Sequence, residues 1–274
     1  MFTARHGASH MNGAVAAQGD VLLSVREVSV VFGGIVALNN VSFDQRRGQI
    51  LGLIGPNGAG KTTLFNCLSR LYQPSQGDIL MEGASILKRP PHRICDIGIG
   101  RTFQNVALFP RMSVADNIRV GAHHRTKGDV ISDGLHLPWT RRQENAINDQ
   151  VDEIMHYLDL TEVSETPVGG LPFGTQKRVE LGRALAAKPK ILLLDEPAGG
   201  LNHEEVHELG SLITRIRDER HMTVLLVEHH MGLVMSIANH VVALNFGRKL
   251  AEGTPAQVQS DADVIKAYLG SKDQ

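Results

Sequence analysis

The hydrophobic pattern near the N-terminus has the two-residue period of β-strands. Residues 21–32 alternate in part between apolar and polar side chains, and residues 35–43 follow after Gly33 and Gly34. Paired glycines between two such segments favour a tight turn, because glycine accepts the backbone angles that turns require. The pattern therefore predicts an antiparallel pair of strands at the start of the fold.

Beyond Gln49 the apolar positions form short uninterrupted segments, each followed by a stretch with helical spacing. The segments are residues 50–54, 191–194 and 224–227, and the helices after them begin near Thr62, His203 and Met231. Strands without polar alternation are buried on both faces, which is typical of the parallel sheet of an α/β fold. The helix near His203 has an apolar face, from Val206 to Ile216, that we expect to pack on this sheet.

The strand pattern fades in the middle of the chain, and two helical patterns replace it. Residues 114–123 and 144–160 have helical spacing, whereas residues 126–140 are interrupted by glycine and proline and predict an irregular loop. We therefore expect a helical subdomain, at roughly residues 105–185, inserted in the α/β core.

The predicted folded domain spans residues 21–272 and follows a tail, residues 1–20, that lacks the apolar segment of a signal peptide and is expected to be flexible. The 274 residues carry a formal net charge of −1, so no overall attraction for nucleic acid is expected. No apolar segment reaches the roughly 18 residues of a membrane-spanning helix. Two cysteines, Cys67 and Cys95, are too few for a disulfide framework, which is typical of a reducing compartment.

A glycine-rich segment between a predicted strand and a predicted helix carries the first recognisable chemistry. It fills the phosphate-loop pattern with Gly55, Pro56, Asn57, Gly58, Ala59, Gly60, Lys61 and Thr62, and Thr63 follows. Glycines allow the backbone to wrap around a phosphate, so that N–H groups and the helix N-terminus face the anion. Lys61 adds a positive charge, and the Thr62 hydroxyl can bind Mg²⁺. The context favours a phosphate site over a plain turn.

Two adjacent acids follow residues 191–194, at the sheet edge where α/β folds bind ligands. Asp195 is placed to hold a metal ion through water, and Glu196 to polarise a water that attacks a phosphate. An acidic pair alone is most often solvated surface. The phosphate loop upstream makes the catalytic interpretation the stronger one.

From about Val21 onward, the chain resembles the ATP-binding-cassette (ABC) ATPases. The resemblance implies a P-loop NTPase core of the ABC ATPase type, with an antiparallel β subdomain and an inserted helical subdomain, that hydrolyses ATP with Mg²⁺. It further implies that Phe32 stacks on the adenine. By the same resemblance, Gln104 reaches the metal and the attacking water, and His229 bonds the γ-phosphate.

The resemblance includes the family's signature segment, which contacts ATP bound to the opposing subunit. Its residues here are Leu171, Pro172, Phe173, Gly174, Thr175 and Gln176. Pro172 stands where a serine is usual and Thr175 where a glutamine is usual, so one hydroxyl contact with phosphate is in doubt. Gly174 and the N-terminus of the following helix are retained.

Four local segments resemble the branched-chain amino-acid importer ATPases of bacteria: residues 101–105, 196–202, 227–231 and 244–248. This resemblance implies a peripheral subunit at the cytoplasmic face of the inner membrane. Its expected partners are membrane-spanning permease subunits, a second ABC ATPase subunit in a homodimer or heterodimer and, indirectly, a periplasmic or secreted binding protein.

Three other functions share parts of this pattern. A lipopolysaccharide-export ABC ATPase has a similar core. A soluble ABC ATPase of DNA repair or translation usually has long coiled-coil insertions or two cassettes in one chain, and the sequence predicts neither. A nucleotide-sensing module would be favoured only without Glu196, which is present.

Overall fold

A computed structural model of the protein describes residues 20–102, 107–122 and 138–269, without the side chains of residues 138–141, 143 and 269. The predicted tail, Gln104 and most of the predicted loop at residues 126–140 lie outside the described residues.

The N-terminal strands form a four-stranded antiparallel sheet with the order β2-β1-β4-β5. Its strands are β1 (Val21–Phe32), β2 (Ile35–Arg46), β4 (Gln76–Met81) and β5 (Ala84–Ser85). The predicted hairpin is confirmed, and β2 extends three residues beyond its predicted end at Phe43. The sequence did not predict β4, which pairs with β1 from a distant part of the chain.

A second sheet of six strands has the order β10-β9-β3-β8-β7-β6. Its strands are β3 (Ile50–Ile54), β6 (Ile99–Arg101), β7 (Ile191–Asp195), β8 (Thr223–Val227), β9 (His240–Asn245) and β10 (Arg248–Gly253). All neighbours are parallel except β9 and β10, which form an antiparallel hairpin. Every residue of β3, β7 and β8 is buried, which explains their uninterrupted apolar sequences.

Eight α-helices lie in the described part of the chain. They are α1 (Lys61–Leu68), α2 (Val114–Ala122), α3 (Pro138–Tyr157), α4 (Phe173–Ala186), α5 (His203–Glu219), α6 (Met231–Ile237), α7 (Pro255–Ser260) and α8 (Ala262–Leu269). The predicted end of the loop at Thr140 is wrong, because α3 already begins at Pro138. Proline is tolerated in the first helical turn, where its missing N–H has no intrahelical partner. The helix predicted to reach Leu160 ends at Tyr157, and Asp159 has a φ of 56°, which no α-helix continues.

The two faces of the parallel sheet are buried in two hydrophobic clusters. Ile50, Leu192 and Val224 belong to one cluster together with side chains of α2, α3, α4 and α5. The adjacent strand residues Leu51 and Leu53 belong to the other, with α1 and the antiparallel sheet. Neighbouring strand residues point to opposite faces, so each strand contributes to both clusters. Through the first cluster, helices α2, α3 and α4 pack in the same hydrophobic core as one face of the parallel sheet.

None of the helices in residues 20–102, 107–122 and 138–269 combines the length and the apolar character needed to cross a membrane.

Candidate active site

The phosphate loop lies between β3 and α1, at the carboxyl edge of the parallel sheet. Gly60 is the N-cap of α1 and has a φ of 99°, a left-handed conformation that glycine adopts without strain. A Cβ atom at this position would approach the Ala37 carbonyl oxygen to 2.8 Å. The first-turn N–H groups of α1 have no intrahelical acceptors, and they are the donors that an anion at this helix terminus uses.

Lys61 is buried at the start of α1, with 5% of its surface exposed. Its Nζ donates to the carbonyl oxygens of Gly55, at 2.6 Å, and Pro56, at 3.0 Å. Burial lowers the pKa of Lys61, and the nearby Glu196 carboxylate opposes that shift. The loop thus holds the ammonium group by its own backbone.

Asp195 is the last residue of β7 and is almost fully buried. Its Oδ2 accepts from Arg101 Nη2 at 3.0 Å, and the same guanidinium bonds Asn66 and Ser69 of the α1 segment. Burial raises the pKa of the Asp195 carboxyl, and Arg101 opposes the shift. Within the described residues, no hydrogen-bond donor reaches Asp195 Oδ1. That oxygen suits a water molecule bound to a metal ion, so the residues fit the predicted Mg²⁺.

Glu196 and His229 meet across the ends of neighbouring strands β7 and β8. The distance from Glu196 Oε1 to His229 Nε2 is 2.7 Å. Glu196 has a φ of 48°, a left-handed conformation that costs a non-glycine residue on the order of 1 kcal/mol and is common at functional sites. The turn after β7 therefore directs the Glu196 carboxylate toward His229.

A cleft of about 720 Å³ brings the separated motifs together. Its walls include the following residues: Asn57, Gly58, Ala59, Gly60, Lys61, Thr62, Thr63, Glu196 and His229. The sequence did not predict the apolar residues Ile35, Val36 and Phe246, which also line it. Next to Phe246, the Gly247 N–H donates to the Ala59 carbonyl at 3.0 Å and so ties the β9–β10 turn to the phosphate loop.

Phe32 lies at the end of β1, outside the lining of this cleft. Its ring makes an edge contact with Tyr72 at a centroid distance of 5.2 Å, and 45% of its surface is exposed. An exposed aromatic face beside the hairpin turn is available for stacking. Gln104 lies outside the described residues.

The signature segment lies at the N-terminus of α4, away from the phosphate-loop cleft. Pro172 is the N-cap, Phe173 is exposed, and Gln176 Nε2 donates to the Leu171 carbonyl at 2.9 Å. With Gly174 and Thr175, Pro172 lines a separate cavity of about 540 Å³. The geometry thus separates these residues from the phosphate loop of their own chain.

Two supporting residues had no sequence signal that identified their roles. Arg101 begins one of the segments that resemble the importer ATPases, yet only the fold shows its ion pair with Asp195. Burial raises the pKa of the Tyr268 hydroxyl on α8, and the neighbouring Gly55 backbone opposes that shift. The last helix therefore contacts the phosphate loop.

Two family models match this chain. The model described as "ABC transporter" matches residues 38–199, and the one described as "Branched-chain amino acid ATP-binding cassette transporter" matches residues 248–274. The first match contains the phosphate loop and both acids. The second contains β10, α7 and α8, and therefore Tyr268.

Individual proteins are similar over nearly their whole length. The high-affinity branched-chain amino acid transport ATP-binding protein BraF of Pseudomonas aeruginosa is 43% identical, over 91% of this chain and 98% of the relative. The corresponding protein LivG of Escherichia coli K12 is 42% identical over the same shares. A crystal structure of an ATP-binding cassette of an ABC transporter, in its ADP conformation, has a TM-score of 0.80 at 27% identity and covers 92% of this chain and 99% of its own.

Proposed function

This chain belongs to the ABC transporter ATPase family, and from that premise we propose that it energises the uptake of branched-chain amino acids or a related small ligand. The observation that carries the proposal is the contact between Glu196 and His229 in the cleft of the phosphate loop. It supports a general base, Glu196, with a polar partner, His229, beside the γ-phosphate of a bound ATP.

ATP binding is assigned to the phosphate loop and to Phe32. Backbone N–H groups of the phosphate loop and of the first turn of α1 face the phosphates. Lys61 transfers its ammonium contacts from the Gly55 and Pro56 carbonyls to phosphate oxygens. Phe32 offers its exposed face to the adenine.

Mg²⁺ is assigned to Thr62, Asp195 and Gln104. When bound, it supplies positive charge to the β- and γ-phosphates. Thr62 is exposed in the cleft and offers a hydroxyl oxygen, and Asp195 Oδ1 offers a carboxylate oxygen. Arg101 holds the other Asp195 oxygen and fixes the direction of the carboxylate.

Hydrolysis is assigned to Glu196, with His229 and Gln104 in supporting roles. Glu196 orients the attacking water and accepts its proton as the bond to the γ-phosphorus forms, while the bond from that phosphorus to the bridging oxygen breaks and ADP leaves with the electron pair. His229 Nε2 lies 2.7 Å from Glu196 Oε1, which supports a role of the imidazole in holding the carboxylate. Its role toward the γ-phosphate is part of the same proposal.

The signature residues from Leu171 to Gln176 serve the ATP of a second ABC ATPase subunit. Their distance from the phosphate loop of this chain supports that division. We propose that the pair of ATPases, homodimeric or heterodimeric, binds membrane-spanning permease subunits at the cytoplasmic face of the bacterial inner membrane. A periplasmic or secreted binding protein then presents the ligand. The near-neutral charge of the chain supports no nucleic-acid partner.

The choice of ligand class is supported by the named relatives and by the match at residues 248–274. Both favour amino-acid import over lipopolysaccharide export or a soluble role.

The import proposal is tested by reconstituting this chain in liposomes with its permease subunits, its partner ATPase and their binding protein. We expect ATP enclosed in the lumen, on the side of this chain, to drive uptake of radiolabelled leucine that the binding protein presents outside, and unlabelled isoleucine or valine to compete. Omission of the binding protein is the control and should abolish uptake. A complex that hydrolyses ATP but transports none of the three amino acids would contradict the ligand class.

A second prediction concerns action on the partner's ATP. Gly174→Asp should lower the ATPase rate of the assembled complex by about 10-fold or more, because a carboxylate would face the partner's γ-phosphate at a poorly hydrated interface. ATP binding by the isolated variant chain, measured by calorimetry, should be normal. Loss of that binding would contradict action on the partner.

Gly174→Ala is the matched control, since a Cβ atom at Gly174 would lie 2.9 Å from Glu205 Oε1 whatever the rest of the side chain. It should cost far less activity than the aspartate. Pro172→Ser should be tolerated, because serine is a better N-cap for α4 and restores a hydroxyl without adding charge.

A further inference from the structure

Glu228 is a buried acid to which the proposed mechanism gives no role. It follows β8 directly and exposes 2% of its surface. Its carboxylate accepts three backbone N–H groups. Oε1 accepts from Ala198 at 2.7 Å, and Oε2 accepts from His229 at 3.0 Å and from His230 at 3.2 Å.

These three bonds connect two separate loops. Ala198 belongs to the turn after β7, two residues beyond Glu196, whereas His229 and His230 belong to the turn after β8. The same two turns meet on the cleft side through the contact between Glu196 and His229. Glu228 therefore joins from the buried side the two turns whose side chains meet in the cleft.

The turn after β7 needs such support. Glu196 has a φ of 48°, and a left-handed non-glycine residue persists only where its surroundings hold it. The Gly199 N–H closes this turn on the Glu196 carbonyl at 3.1 Å, and the Ala198 N–H points to Glu228. The bond to Glu228 therefore fixes the turn against its neighbour.

We propose that Glu228 is a positioning residue that sets the Glu196–His229 pair for hydrolysis. A carboxylate is suited to this task because both of its oxygens accept and neither donates. The amide of glutamine has one accepting oxygen and one donating nitrogen. Its NH₂ group would therefore face another donor, either the N–H of Ala198 or the N–H groups of the two histidines. This inference rests on the proposed roles of Glu196 and His229.

The test uses Glu228→Gln, which keeps the volume and removes one acceptor. In the assembled complex we expect kcat to fall about 10-fold, as expected for a buried N–H left without its charged acceptor, while KM for ATP changes less than about 2-fold. ATP affinity of the isolated chain should be unchanged, because the phosphate loop makes no bond with Glu228. An equal loss of ATP affinity, or an unchanged kcat, would overturn the proposal.

A double-mutant cycle separates positioning from general structural damage. If Glu228 acts through His229, then Glu228→Gln should cause little further loss of kcat in a His229→Ala background. The same fold-loss in both backgrounds would overturn the proposal. Glu228→Asp keeps the charge and both acceptors on a shorter side chain, and we expect its kcat to lie between those of wild type and Glu228→Gln.

The outcome also separates this inference from the proposed function. If Glu196→Gln abolishes hydrolysis but Glu228→Gln does not affect it, the proposed mechanism stands and the positioning role of Glu228 is wrong. If Glu196→Gln and His229→Ala both retain normal hydrolysis, the proposed mechanism fails, and the positioning role fails with it. Thermal unfolding of each variant, with kcat measured well below its Tm, keeps loss of fold distinct from loss of function.

Discussion

Glu196→Gln should lower the ATPase rate of the assembled complex by about 10²- to 10⁴-fold, the range expected when a positioned general base is lost. Glutamine has nearly the same shape and can still contact His229, so the cleft and the left-handed turn at this position should be preserved. ATP affinity should therefore stay close to that of the wild type. The complex should accumulate bound, unhydrolysed ATP, which quench-flow and filter-binding measurements can detect.

The matched control is Glu82→Gln, which removes a carboxylate from a surface cluster. Glu82 forms ion pairs with Lys190, at 2.5 Å, and with Arg47, and none of the three residues lines the cleft. Its ATPase rate should equal that of the wild type. Near-normal turnover of Glu196→Gln would show that the assignment of the base is wrong.

Lys61→Ala should weaken ATP binding by about 10- to 100-fold, because a charge-assisted bond to phosphate contributes about 1.5–3 kcal/mol. Turnover should fall further, by about 10²- to 10³-fold, since the same charge stabilises the transition state. The lysine is 5% exposed and held between two backbone carbonyls, so its charge is fixed beside the loop. Titration calorimetry of the isolated chain measures the first effect directly.

Lys190→Ala is the control for a lost lysine charge. Lys190 precedes β7 and lies at the opposite edge of the sheet from the phosphate loop, so ATP affinity should not change. If Lys61→Ala binds ATP as tightly as the wild type, the phosphate loop does not use this ammonium group.

The local sequence determined those parts of the fold whose signal lies in adjacent residues. Strands β3, β7 and β8 are buried throughout and contain uninterrupted apolar segments, and such segments are visible without knowledge of their partners. The phosphate loop is equally local, because its glycines, Lys61 and Thr62 act through consecutive backbone groups. The adjacent acids Asp195 and Glu196 and the resemblance to the ABC ATPases were likewise visible in short segments of the sequence.

Strands with weak local signals depended on their neighbours. β6 has three residues and includes a glycine and an arginine, and it is a strand because β7 lies beside it. β10 has no fully buried residue and pairs with β9 through a tight turn. The start of α3 was missed for a related reason, since Pro138 and the residues after it have little apolar periodicity.

Only the tertiary structure decided how the site is held together. Arg101 and Asp195 are 94 residues apart in sequence, and Glu228 and Ala198 are 30 apart. No spacing rule connects such pairs, because their distance depends on the order of strands in the sheet. The sequence by itself determined the chemistry, since each reactive group lies in a local motif. The strand order β3-β8-β7-β6 decided its geometry, because it brings Lys61, Asp195, Glu196 and His229 to one edge of the sheet.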